Sequence, residues 1–329
     1  MTQEKVLEIL KAAGGGYCSG AAISRELGLS RTAVWKAVAR LKEEGYVIDS
    51  APNRGYRLEQ SPDRLSQGEL AGALAGCTVG SNLICLDSVD STNSYAKRLA
   101  DEGAPHGTVV LAETQLGGRG RLGNSFSSPA GKGLYLSAIL RPEMEPVQAV
   151  NLTAWTAVTV CNALERATGV RPGIKWTNDI ILNGRKLCGI LTEMGLEAES
   201  GRLQFVVVGI GINVSQTEED FGEELAQKAI SLAQAGYSLR RAELAAAVIR
   251  DLDRLDRDFP QEKQSYLERY RRDCLTVGRP VRLLQRGAVR EAFAQGIDDQ
   301  FALVVRLPDG TEQTVTSGDV SVRGLEGYI

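Results

Sequence analysis

A chain of 329 residues has room for two or three domains. Its 43% hydrophobic and 24% charged content is that of an ordinary globular protein, and a net charge of −3 means that any nucleic-acid-binding surface must be a local basic patch. One histidine, His106, in a turn, and six scattered cysteines with no CxxC pair argue against a zinc site and against a His-dependent catalytic triad.

The apolar residues Val6, Leu7 and Leu10 fall at helical spacing in residues 5–13, and Ala22, Ile23 and Leu27 mark a second short helix over 19–27. Gly28-Leu29-Ser30 is a tight turn, and Ser30 is a good N-cap for a third helix over 31–45. Val34, Val38 and Leu41 give that helix its inner face. Its other surface carries Arg31, Thr32, Trp35, Lys36 and Arg40, with no acid before Glu43. Residues 46–48 and 55–58 alternate as two strands around a polar turn. Three short helices, the third cationic, followed by a hairpin form the pattern of a winged helix-turn-helix over 1–60. Such a third helix enters the major groove while basic side chains meet phosphates, and Arg54 and Arg57 would be the wing's phosphate contacts. The competing reading is a helical interaction module with a charged, solvated face.

Residues 59–64 are polar, contain Pro62, and read as a linker to a second domain spanning 66–272. A short strand at 83–86 leads to Asp90-Ser91-Thr92-Asn93 and a helix over 94–101. That polar cluster caps the helix, and it also gathers hydroxyl and free N–H groups where polar ligand atoms can bind. After an apolar strand at 108–112, residues 115–124 hold four glycines and two arginines. Bare backbone and forked guanidinium donors suit a flexible cover over an anion. Gly118, Gly120 and Gly123 also satisfy a dinucleotide fingerprint, but Ser127, Ser128, Pro129 and Gly131 deny the helix that must open at its third glycine.

A strand at 133–140 and a long apolar helix at 150–168 come next. In residues 171–179 the period is two, so Ile174 and Trp176 point one way and Lys175 the other. A lysine in such a sheet either meets an anion or snorkels to the surface at a strand end. Asn183-Gly184 is a strong hairpin turn between 180–182 and 186–191. Gly209, Gly211 and Asn213 interrupt a buried strand over 203–214, as glycines do where a ligand or another backbone comes close. Helices are expected at 222–235, 240–259 and 260–272. Short strands from 275 onward, with a turn at Pro308-Asp309-Gly310, read as a small β-barrel over 273–329. Residues 1–5 carry no apolar signal core and no membrane-length apolar run appears, so a cytoplasmic protein with reduced cysteines and no membrane contact is expected.

Five motifs occur in order: Asp90-Ser91-Thr92-Asn93, Gly118-Arg119-Gly120-Arg121, Lys175-Trp176-Thr177-Asn178-Asp179, Lys186-Leu187-Cys188-Gly189-Ile190-Leu191 and Gly209-Ile210-Gly211-Ile212-Asn213. Together they resemble the biotin–protein ligases, of the bifunctional kind that also represses the biotin operon, along essentially the whole chain. The resemblance implies an α+β multidomain protein: a winged helix, a mixed α/β ligase domain and an SH3-like barrel. It implies that biotin and ATP, with Mg2+, give biotinyl-5′-AMP. The lysine of a biotin carboxyl carrier protein or domain then attacks that anhydride. It also implies a homodimer, favoured by the adenylate, that binds operator DNA.

Carried over residue by residue, Ser91, Thr92, Asn93 and Gln115 resemble the biotin-binding residues, with Arg119, Gly120 and Arg121 in the covering loop and Gly189 in the pocket wall. Lys175 resembles the lysine at the reacting carboxylate–phosphate junction, and with Arg119 and Arg121 it makes up the catalytic set. Gly118, Asn178, Asn213 and Arg323 resemble adenylate contacts, and Asp179 either assists the metal or makes an Asx-turn. Many members show GRGRxGRxW, whereas Asn124 and Phe126 stand here in place of an arginine and the tryptophan. Two other readings stay open: a lipoate or octanoate ligase with the same adenylating logic, and a pure ligand-sensing repressor without turnover.

Overall fold

The computed structural model describes residues 2–285, 288–316 and 321–324, with side chains for all of these except 122, 285 and 321–324. Helices α1 (Thr2–Ala12), α2 (Gly20–Leu27) and α3 (Arg31–Glu43) pack through Val6, Leu7, Leu10, Ile23, Val34, Val38 and Leu41 into a core of their own. Ser19 Oγ accepts from Ala22 N at 3.0 Å and Ser30 Oγ from Ala33 N at 3.1 Å. Each cap contributes about 1 kcal/mol. The hairpin β1 (Val47–Ala51) and β2 (Gly55–Gln60) is rooted on the turn before α2, where Cys18 and Tyr56 exchange backbone bonds at 2.8 and 2.9 Å. Gly55, at φ 101°, is obligatory there, because a Cβ would lie 2.1 Å from the Cys18 carbonyl oxygen.

The segment read as a linker is docked. Arg240 Nη2 donates to the Pro62 carbonyl at 3.0 Å, and Leu65 N to Glu113 Oε1 at 2.8 Å. Helix α4 (Gln67–Leu70) presents Glu69, whose buried carboxylate receives Lys11 of α1 at 2.5 Å and Arg240 at 2.9 Å.

A seven-stranded sheet forms the middle of the chain, in the order β3 (Asn82–Leu86), β4 (Thr108–Ala112), β5 (Gly133–Leu140), β9 (Leu203–Asn213), β8 (Arg185–Leu196), β7 (Asp179–Leu182) and β6 (Gly173–Lys175). The β3–β4 pair is parallel and spans α5 (Thr92–Asp101); all other neighbours are antiparallel. After α6 (Pro146–Ala149), the long helix α7 (Leu152–Thr168) packs one face with Trp155, Val158 and Leu164. The other face carries α5, through Ala96 and Ala100, against Val110, Ile139, Phe205 and Val207. On that face β9 runs Phe205, Val207, Gly209, Gly211. The side chains disappear where the functional site begins.

The helix expected over 222–235 is corrected. Helix α8 (Glu218–Ala226) is broken at Gly222 (φ 69°, ψ 167°), and beyond it the chain runs extended against β8, with Lys186 N donating to Lys228 O at 2.8 Å and Ile230 N to Lys186 O at 2.9 Å. Helices α9 (Arg241–Asp258) and α10 (Lys263–Asp273) follow. The last module is an antiparallel sheet ordered β13 (Glu312–Val315), β12 (Leu303–Arg306), β11 (Ala288–Ile297), β10 (Pro280–Gln285), β14 (Ser321–Gly324). Its Leu283, Ala294, Leu303 and Val305 join the core beneath the central sheet, and Trp176 Nε1 donates to the Phe301 carbonyl at 3.0 Å. No helix among the described residues is long and apolar enough to cross a membrane.

Candidate active site

The site lies on the α5 face of the sheet, where β8 and β9 meet the start of α5 and the loop after β4. Ser91 is the N-cap of α5. Thr92 N donates to Gln115 Oε1 at 2.9 Å, and Gln115 Nε2 donates to Ser128 Oγ at 2.8 Å. Both ends of the glycine–arginine loop are thereby fixed to the helix start. Within the loop Phe126 N donates to Gly118 O at 2.9 Å and Gly120 N to Asn124 O at 2.7 Å, so its two arms close on each other. Gly118 permits that closure: a Cβ there would lie 2.3 Å from the Phe126 carbonyl oxygen.

Ser91, Thr92, Asn93, Gln115, Arg119, Gly120, Arg121, Asn178 and Gly189 line one cavity. Arg121 Nη1 donates to Asn178 Oδ1 at 3.1 Å. Burial pulls the Arg121 guanidinium below its usual pKa and the Asp179 carboxylate opposes that shift. Asn93 lines the cavity with its amide group already bound: its amide donates to Leu191 O at 3.1 Å and to Glu193 Oε2 at 3.0 Å, and its oxygen lies 2.6 Å from Ser137 Oγ. It braces the floor of the site.

Lys175 is 8% exposed on β6 and is not among the residues lining the cavity. The lining lysine is Lys186, with its Nζ 2.6 Å from Asp179 Oδ1 and its stem lying across Gly189. Strict alternation places Lys186 and Gly189 on opposite faces of β8. A bulge at Leu187, where the register steps from Ile180↔Cys188 to Ile181↔Lys186, breaks that alternation. Phe126 was likewise missed as a wall. Its ring covers Gly211 and Gly189, and a Cβ on Gly211 would lie 2.7 Å from it. In this structure the two β9 glycines make room for protein side chains: Phe126 at Gly211, and Asn93 at Gly209, where a Cβ would lie 2.0 Å from its oxygen.

Asn213 also stands outside the lining, its amide donating to the carbonyls of Lys186 at 3.4 Å and Ile230 at 3.1 Å. The side chain of Arg323 lies outside the described residues. No cluster of three His, Cys, Asp or Glu side chains suited to a metal occurs among the described residues. Asp179 pairs through Oδ1 with Lys186 at 2.6 Å.

In the N-terminal module Arg31, Thr32, Trp35, Lys36 and Arg40 all face solvent on α3, Trp35 at 59% exposure. Arg57 pairs with Glu59 at 2.6 Å on the hairpin surface. Arg54 lies over the Tyr17 ring, 4.0 Å from its centre.

Comparison with known proteins gives three family matches: an HTH domain over residues 2–57, the Biotin/lipoate A/B protein ligase family over 85–213 and the Biotin protein ligase C terminal domain over 276–323. They define the class, a protein ligase of the biotin/lipoate type joined to a helix-turn-helix domain. The bifunctional ligase/repressor BirA of Bacillus subtilis is 36% identical over 322 residues, covering 97% of this chain and 98% of its own length. That of Escherichia coli is 33% identical over 317 residues, covering 95% of each. A biotin protein ligase from Aquifex aeolicus, solved with biotin and ATP, superimposes with a TM-score of 0.63 at 29% identity, covering 74% of this chain and 99% of its own. The chain belongs to the family of bifunctional biotin ligase/repressors.

Proposed function

We propose that the chain joins biotin to a lysine of a biotin carboxyl carrier protein or domain at the expense of ATP, and that it represses transcription in response to biotin. The observation that carries the reading is the convergence of Arg119, Arg121 and Lys186 on one cavity that Ser91, Thr92 and Gln115 also line. In the first step a biotin carboxylate oxygen attacks the α-phosphorus of ATP, an O–P bond forms, and pyrophosphate leaves with the electrons of the bond that breaks. In the second the neutral amine of the carrier lysine attacks the acyl carbon, AMP departs, and the amine loses a proton. Both steps develop negative charge on oxygen, and fixed cations around the cavity stabilise it. Placing the two reactants together supplies much of the rest.

Neither step needs a protein nucleophile. Cys188 is fully buried, which pushes its thiol pKa well up, and His106 is bound to Asp256 of α9 at 2.9 Å. Magnesium enters as part of the nucleotide substrate, held mainly by phosphate oxygens and water. Gly118 and Asn178, with Arg323 from the last module, remain our choices for the adenylate. Lys175 remains our choice at the reacting junction, and Lys186 joins it as a cation on the cavity wall.

The exposed row on α3 would read operator DNA in the major groove. A homodimer matched to a two-fold operator follows if the adenylate favours one state of the loop. Mass spectrometry of a carrier domain incubated with the full chain, biotin and MgATP tests the enzyme. One added biotinyl group is expected. Transfer of lipoate or octanoate instead, or tight biotin binding with no transfer, would replace this reading with one of its rivals.

A further inference from the structure

We infer that Arg241 is a positioning residue for this reaction, and that it ties the covering loop to the linker of the DNA-binding module. The inference rests on the proposed ligase activity. Arg241 is the first residue of α9 and is 2% exposed. Burying a guanidinium is costly unless its donors are satisfied, and these are. Its backbone N and its Nε bond the two carboxylate oxygens of Asp63 at 2.7 and 3.1 Å, and Nη2 donates to the Asp63 carbonyl at 2.5 Å. Nη1 donates to Glu113 Oε2 at 2.6 Å and to the Gly133 carbonyl at 3.4 Å.

The placement of these partners matters more than their number. Glu113 directly follows β4 and Gly133 opens β5, so one side chain holds the exit and the return of the loop that carries Gln115, Arg119, Arg121 and Phe126. Asp63 belongs to the linker, and Leu65 just after it donates its N–H to the other Glu113 oxygen at 2.8 Å. A shift of the linker therefore changes the partners of the same two groups that set the loop's base. A ligand that favours the closed loop must, by linkage, favour the docked linker. Another tie between the modules, Lys11 to Glu69, touches neither end of the loop, so its loss serves as a control.

The test uses the full chain with Asp63→Ala, Arg241→Lys and, as the control, Lys11→Met. For Asp63→Ala, whose side chain is partly exposed, the KM for biotin should rise roughly tenfold with kcat within about twofold, the loss of a charge-assisted bond that acts through ligand binding. Arg241→Lys, which keeps the charge but cannot fork to three partners, should do the same. Lys11→Met should leave the biotin KM unchanged. Hydrogen exchange at residues 63–66 should slow when biotin and MgATP bind the native chain, and that response should vanish in Asp63→Ala. Lowered thermal stability with a native KM for biotin in both clamp variants would overturn the inference, as would an equal rise in Lys11→Met. If the native chain does not turn over biotin at all, it is the proposed activity that falls.

Discussion

Lys175 and Lys186 stand in strands of one sheet, yet Lys186 lines the cavity and Lys175 does not. The sequence shows both lysines and even the motif around Lys186. What it does not show is the bulge at Leu187 that rotates Lys186 onto the face of Gly189. Residue types and spacing reveal a side chain's face only while a strand keeps its alternation. The β9 glycines illustrate the same limit. Their oddity inside a buried strand was legible, but their neighbours come from α5 and the loop, far away in the chain. Gly209→Ala would drive a methyl group into the Asn93 amide and break its bonds to Ser137 and Leu191. A loss of about 1–3 kcal/mol in urea unfolding is expected, whereas an undisturbed midpoint would show that the floor can yield.

The loop between β4 and β5 is the element on which the site depends. Its glycines and arginines announced an anion cover, and Gln115, Arg119, Gly120 and Arg121 line the cavity while Gly118 does not. The consequence of Phe126 was harder to read, because a ring's value depends on what lies beneath it. Here that is Gly211 and Gly189, with Tyr135 edge-on at 6.4 Å. Phe126→Ala should speed loss of the bound adenylate roughly tenfold with little change in adenylate formation, the effect of removing a buried aromatic contact. A stopped-flow chase measures it, and an unchanged off-rate would remove the ring from the cover. The segment after Gly222 was misread as helix because its composition is helix-friendly. A positive φ and the open edge at Lys186 won over propensity.

On the scale of the molecule the three modules were visible as changes of texture along the chain. Their joints were not, since polar residues that look like a tether turn out to be bound. The helix-turn-helix has a separate apolar core and meets the ligase module through Lys11, Arg240 and Glu69, among other polar contacts, whereas the last sheet shares its core with the central one. Calorimetry should therefore resolve two transitions, and Glu69→Ala should lower the one belonging to the N-terminal module through the two cations left without their carboxylate. One transition in both proteins would mean that the polar joint is as cooperative as a core.

The central claim is that fixed cations in the cavity drive biotin's activation. Biotin-dependent exchange of pyrophosphate into ATP measures that step alone, without carrier or DNA. The native chain should exchange with biotin and not with lipoate, and Lys186→Met should be slower by about 10²–10³-fold while remaining folded. Exchange at the native rate in Lys186→Met, or none in the native protein, would contradict the account.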